Sequence, residues 1–354
     1  MAANSQNKGK IFLSTILLLL TVLVVGTVVL FVSQANDKSA FKAIPSIIKK
    51  DKPKKTEAPS ANCPLDGLRT TPEAATRRPL AVMIENSPAA RPQSALSKAD
   101  LVMEALAEGG VTRFMAVYVH NAVEEVGPVR SARPYYLQVA QGFKALFAHV
   151  GGSKEAMNQI KKWGLADVDQ FFNEKAYWRV KSRPSPHNMY TSTEKLREAA
   201  RGRNYALEGE YQGFRHKSDV SLAERPQSQI ISIDFSYPEY KVRYEYERVS
   251  NAYLRFVGAA PHQDKLTNDQ LKPKNIAVIY VPTSNNKGGT LNIDIEGEGK
   301  ALVFRDGVTA SGTWEKPTLN SQILFFDASG QEITFNPGQI WLEVVRTSTS
   351  VTYQ

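Results

Sequence analysis

The chain has one cysteine in 354 residues, Cys63. A single thiol excludes an intrachain disulfide and any cluster of thiolate metal ligands. No hydrophobic run directly precedes Cys63, so it reads as a small residue entering the first domain rather than a lipid attachment point. Histidine is also scarce. The five, at 120, 149, 187, 216 and 262, include no i, i+4 pair and no tight cluster, so neither a metal nor another cofactor is expected. No Gly-Lys-Ser/Thr stands at P-loop spacing, and no internal repeat is present. A strong charge of one sign is missing from most of the chain. The net charge is +9, but residues 1–60 hold nine Lys/Arg against three Asp/Glu, which leaves 35 against 32 in residues 61–354. That near balance lacks the basic footprint of a duplex-binding protein, and nucleic acid is set aside as a partner.

What the sequence does have is a run of 22 uncharged, mostly aliphatic residues, Ile11 to Val32. As a helix it spans ~33 Å, enough for the ~30 Å hydrocarbon core of a bilayer. Its length favours a retained transmembrane anchor over a cleaved secretory signal, although Ser33-Gln34-Ala35 offers a small-x-small cleavage site. Lysines are more numerous after the run than before it, which taken alone would place the bulk inside. Long domains, however, translocate largely regardless of flanking charge. The expected arrangement is therefore a cytoplasmic tail (1–10), a single-pass anchor (11–32), a basic disordered tether (33–63) and an extracytoplasmic bulk in the cell membrane's outer space.

The remaining residues suggest two domains. From 64 to 221, strand-like and helix-like runs alternate, which indicates an α/β sandwich. PLAVMIEN (79–86) and FKALFAHV (143–150) read as buried strands, and residues 101–118 as a hairpin turning at Gly109-Gly110. Ala156, Met157, Ile160 and Trp163 form one helix face. A capping box from Thr191 to Glu194 opens a further helix. From 229 to 354 nearly every segment reads as strand. YKVRYEYE alternates with Tyr240, Val242, Tyr244 and Tyr246 on one face, while IAVIYV and IWLEVV are continuous apolar runs. The expectation is an α+β or α/β chain: an N-terminal α/β sandwich, then a smaller, mostly antiparallel β domain, with a joint near Leu222 to Ser228.

RPLAVMIEN (78–86), ARPQSALSKADLVMEALAEGGVTRFMAVY (90–118), GPVRSARPYYLQVA (127–140), HVGGSKEA (149–156), PHNMYTSTEKL (186–196), RDGVTASGTWEK (305–316) and PGQIWLEVV (337–345) resemble the YerB-type family of bacterial envelope proteins, a family of unknown function. These strings span most of residues 64–354. The resemblance implies a lipoprotein or membrane-anchored protein facing away from the cytoplasm, with an N-terminal α/β domain and a smaller C-terminal domain. It brings no activity. The hydrophobic run here lacks a lipobox cysteine, so a peptide anchor stands where such members carry a lipid.

Four segments carry candidate chemistry. In GPVRSARP, Arg130 and Arg133 flank Ser131, and Pro134 suits the first turn of a helix, so the loop suits an anion. The plain alternative is that Ser131 or Arg133 caps that helix and the arginines pair with Glu124 or Glu125. His149 is followed by Gly151, Gly152 and Ser153, a strand end and helix start that let backbone approach a ligand. His187 and Asn188 lie in a Pro-rich loop, where a histidine can act as acid or base. Glu85 and Asn86 end a strand, with Arg91 and Gln93 after them. Glu104, Glu108 and Arg113 surround the hairpin, where Glu–Arg pairs are the plain explanation. Two readings result. One is a non-enzymatic envelope protein binding an anionic cell-wall polymer, a peptide stem or a partner protein. The other is a hydrolase or transferase with Ser131 as nucleophile, His149 or His187 as base, and the Gly151-Gly152 amides as oxyanion hole.

Overall fold

Continuous apolar strands need cover on both faces, and this requirement organises the molecule. The computed structural model describes residues 61–286 and 289–354. The expected tail, the anchor and residues 33–60 of the tether lie outside the described residues, and the end of the tether is corrected: Ala61–Asn62 pairs with Arg69–Thr70 as a short strand, and Cys63 is buried, because its amide closes a turn onto Leu68 O. Among those described, no helix is long and apolar enough to cross a membrane.

Ten strands build the main sheet: β1 (Leu80–Glu85), β2 (Leu101–Leu106), β3 (Thr112–Tyr118), β4 (Leu146–His149), β5 (Asp167–Asp169), β6 (Asn275–Val281), β7 (Gly297–Arg305), β8 (Val308–Lys316), β9 (Leu324–Asp327) and β10 (Ile340–Arg346). Their spatial order is β9-β8-β7-β6-β10-β2-β3-β1-β4-β5. The sheet is mixed. β10 runs parallel to both β2 and β6, and β1, β4 and β5 are mutually parallel, while the β2–β3 hairpin and β6 to β9 pair antiparallel. The hairpin turns as expected, with Gly109 and Gly110 both at positive φ.

The separate β domain expected from 229 onward is corrected here. β6 to β10 extend the sheet that β1 to β5 begin, and the junction is the register Leu101↔Ile340 through Ala105↔Val344. The physical reason lies in β6 and β10. Six of seven residues in each are buried, so neither could border a half-solvated sheet.

A second, five-stranded antiparallel sheet comes from Ile230–Asp234, Lys241–Glu247, Ala252–Val257, Ala260–Pro261 and Val351–Tyr353. The alternation in its central strand holds: Tyr240, Val242, Tyr244 and Tyr246 are buried. It packs on the main sheet through Tyr244 and Arg255, whose groups lie against Trp341 of β10.

The helices are α1 (Pro72–Ala75), α2 (Pro134–Gly142), α3 (Lys154–Trp163) and α4 (Thr193–Gly202). α3 buries Ala156 and Ile160 and ends on Gly164 in the left-handed conformation. The cap of α4 is Ser192 rather than Thr191. Thr191 closes the strand Met189–Thr191, and its backbone is committed to Val126.

Candidate functional site

Side chains alternate across a strand, so Glu85 and Asn86 leave the end of β1 toward opposite faces. Glu85 is the register partner of Arg113 at the start of β3. Glu85 and Arg113 therefore share one face, while Asn86, Thr112 and Phe114 share the other.

On the Glu85 face the predicted loops converge. The GPVRSARP loop lies against the end of β1, with Arg130 N donating to Met83 O at 2.9 Å and Glu85 N to Pro128 O at 2.9 Å. The Gly-Gly loop lies against it in turn: Val150 N donates to Arg130 O, Ala132 N to Gly151 O, and Ala132 bridges Gly152. The Pro-rich loop brings His187 to the same place. Its Nδ1 is 3.0 Å from Glu85 Oε2 and 3.4 Å from Ser87 Oγ, and Ser87 Oγ donates to Glu85 Oε1 at 2.9 Å. Arg130 Nε is 3.5 Å from Glu85 Oε1 and makes no hydrogen bond. The side chains of Arg130 and His187 remain 31% and 21% exposed, which leaves both reachable from solvent. Two aromatics, Phe171 and Phe172, are exposed on the segment after β5, and Phe171 lies against Gly151 of the Gly-Gly loop. A Cβ placed on Gly151 would come within 3.0 Å of the Phe171 ring.

The other two arginines are already committed. Arg133 forks onto Glu108, with Nη2 2.7 Å from Oε2 and Nε close to Oε1, and its Nη1 reaches Ser131 Oγ at 3.1 Å. Burial opposes ionisation of Glu108, but the Arg133 guanidinium outweighs it and holds the carboxyl below the usual glutamate range. Arg113 Nη1 donates to Ser131 O at 2.8 Å. Burial, and then the neighbouring Arg133 charge, push Arg113 below the usual arginine range. The expected partners Glu124 and Glu125 are not the ones used. Glu125 instead takes Lys265 and Ser94. Arg133 occupies the N-cap position of α2 without a side-chain capping bond, and Pro134 opens that helix.

The hydrolase arrangement does not assemble. Ser131 Oγ accepts from arginine, and no hydrogen bond joins it to His149 or His187 among the described residues. His149 is fully buried, its Nδ1 2.8 Å from Gly151 O and its Nε2 3.5 Å from Asp167. The Gly151 amide is taken by Asp169 Oδ1 at 3.0 Å, so it is not an oxyanion donor. Ser153 caps α3 through Ala156 N, and Asn188 holds Arg179 and Val180 O.

On the Asn86 face lies a buried polar network in which only Glu343 Oε2 lacks a hydrogen bond. Asn86 Nδ2 donates to Thr112 Oγ1 and Glu104 Oε1, and its Oδ1 accepts from Arg91 and Gln93. Arg255 lies between Glu104 and Glu343, which face each other across β2 and β10, and 4.2 Å from the Trp341 ring centroid. Tyr244 OH donates to Glu343 Oε1. His262 takes Arg255 on Nδ1 and is 2.9 Å from Gln93 Oε1 through Nε2. Burial, and then the adjacent Glu104 charge, push Glu343 up to about 8. Burial and the Arg255 charge push His262 well below the usual histidine range. Near neutral pH one cation therefore faces one anion, which is what a water-free site tolerates.

Sequence reasoning missed Ser87, Phe171, Arg255, His262 and Glu343. The visible signal for two of them was a lone charge inside an apolar strand: Arg255 in AYLRFV and Glu343 in IWLEVV.

Residues 65–206 match the N-terminal domain, and residues 231–342 the C-terminal domain, of a protein family of unknown function, DUF3048. The chain belongs to the DUF3048 family. It is 34% identical over 292 residues to the Bacillus subtilis (strain 168) protein named "Putative lipoprotein YerB", covering 81% of this chain and 87% of that one. The crystal structure of YerB protein from Bacillus subtilis superposes with a TM-score of 0.75 at 31% identity, over 83% of this chain and all of that one. The two DUF3048 segments, distinct along the chain, here share the ten-stranded sheet.

Proposed function

We propose that this DUF3048 protein is a single-pass, membrane-anchored extracytoplasmic protein that binds an anionic envelope ligand at the Glu85, Arg130 and His187 cluster. The observation that carries the reading is the contrast among three neighbouring arginines. Arg113 and Arg133 are committed to Ser131 and Glu108, while Arg130 keeps a partly exposed side chain whose buried Nε faces Glu85 and whose terminal nitrogens make no hydrogen bond among the described residues. His187 stands next to it, its Nδ1 oriented by Glu85. A carboxylate or phosphate suits a guanidinium with free terminal donors, and the exposed Phe171 ring against Gly151 suits the apolar face of a sugar. A charged cell-wall glycopolymer has both features. The 22-residue hydrophobic run and the lipoprotein name of the Bacillus subtilis relative support a place on the envelope.

Full-length protein in detergent should be retained on isolated cell-wall polymer, and retention should weaken with salt. Arg130→Ala with His187→Ala should lower it at least tenfold. Unchanged retention of the double variant would remove the proposal. Protease added to intact cells should digest the folded bulk, and survival until the cells are lysed would refute the orientation.

A further inference from the structure

Away from the ligand cluster, four donor groups of three chemical kinds meet where the chain enters the fold. Cys63 and Asp66 belong to a tight turn closed by Cys63 N to Leu68 O at 2.8 Å and Gly67 N to Cys63 O at 2.9 Å. Asp100 and His120 flank the open end of the β2–β3 hairpin. Asp100 immediately precedes β2, and His120 follows β3 by two residues, so pairing of the strands brings them side by side. One atom from each of the four residues lies within 4.8 Å of every other. His120 Nε2 is 2.7 Å from Asp100 Oδ1 and 3.1 Å from Asp66 Oδ2, and Cys63 Sγ is 3.7 Å from Asp100 Oδ1.

The 3.1 and 3.7 Å separations are close to the edges of a metal-centred tetrahedron, and the 2.7 Å one is a hydrogen-bond distance that an ion would lengthen. Bonds of 2.0–2.3 Å imply ligand-to-ligand distances of roughly 3.3 Å between nitrogen and oxygen and roughly 3.5 Å to sulfur. The carboxylates are arranged as metal ligands are. Each gives one oxygen to a backbone amide, Asp66 Oδ1 to Leu68 N and Asp100 Oδ2 to Val119 N, and turns the other toward the common centre. Both carboxylate oxygens crowd the same histidine nitrogen, where one proton can point at only one of them. Cys63, Asp66 and Asp100 are buried.

We propose that Cys63, Asp66, Asp100 and His120 form a closed, four-ligand site for a borderline-soft divalent cation of the zinc type. Four protein ligands leave no open position, so the role is structural. The ion clamps the Cys63–Leu68 turn to the hairpin. The histidine spacing gave no hint of this, because the ligand set is mixed and only one histidine belongs to it.

Cobalt tests the assignment. Full-length, tag-free protein in detergent, stripped with chelator, should bind one equivalent of Co²⁺ and develop a thiolate-to-cobalt charge-transfer band that one equivalent of Zn²⁺ abolishes. Cys63 is the chain's only thiol, so the band in the unmutated protein reports this site without any variant. Cys63→Ser should lose the band, and His120→Gln should weaken binding at least tenfold. Absence of stoichiometric binding, or binding without the band, would overturn the site and leave His120 as an ion-pair partner of the two aspartates.

Discussion

The two faces at the ends of β1 and β3 use similar residues to opposite ends. On the Asn86 side, Glu104, Glu343, Arg255 and His262 are fully or almost fully buried. There, burial dictates charge: one glutamate keeps its proton, the histidine stays neutral, and one arginine answers one carboxylate. On the Glu85 side, solvent reaches Arg130 and His187, and the terminal nitrogens of Arg130 make no hydrogen bond among the described residues. The difference teaches that a cluster of ionisable groups is not in itself a binding site. The fully buried one, in which only Glu343 Oε2 lacks a hydrogen bond, holds two sheets together, and the partly exposed one has something to offer a ligand.

The largest effect should come from breaking the fully buried side. Arg255→Met leaves the Glu104 carboxylate buried without its cation and should cost about 3–5 kcal/mol in denaturant unfolding. Adding Glu104→Gln should recover at least about 1 kcal/mol of that loss, since the stranded charge is then gone. A loss under about 1 kcal/mol for Arg255→Met would mean that the network is hydrated and the contrast between the faces is false.

A smaller effect sharpens the same point through pH. Glu343 titrates at about 8 in the folded chain against 4.5 for an ordinary glutamate. A carboxyl raised on folding contributes stability that is complete below about pH 4.5 and is lost as pH rises through about 8. Relative to Glu343→Gln, the unmutated protein should therefore lose stability across that window, with a slope of at most about 1.4 kcal/mol per pH unit. A difference that is flat, or that grows in favour of the unmutated protein with pH, would show Glu343 to be ionised in the fold.

Much of this was legible in the sequence. Apolar runs placed β1, β4 and the hairpin, alternation placed the buried tyrosine stripe, and glycines placed the turns. The strand ends and loops named for chemistry do meet, because a parallel β1–β4 pair sets both following loops at the same edge. What sequence could not show was long-range pairing. IWLEVV announces a doubly covered strand, but nothing local says that its neighbour is β2, more than 200 residues earlier. Nor could spacing reveal which glutamate each arginine takes: Glu108 meets Arg133 only because the hairpin turn reaches the start of α2. The Thr191 cap failed for a similar reason, since strand pairing claimed that residue first.

The most direct test of the central claim compares two arginines three residues apart for retention of the full-length protein on isolated cell-wall polymer. If spare donor capacity makes the site, Arg130→Ala should reduce retention at least tenfold while Arg133→Ala, whose guanidinium is already spent on Glu108, changes it less than about twofold. Equal losses from both, or a loss from Arg133→Ala alone, would contradict the account.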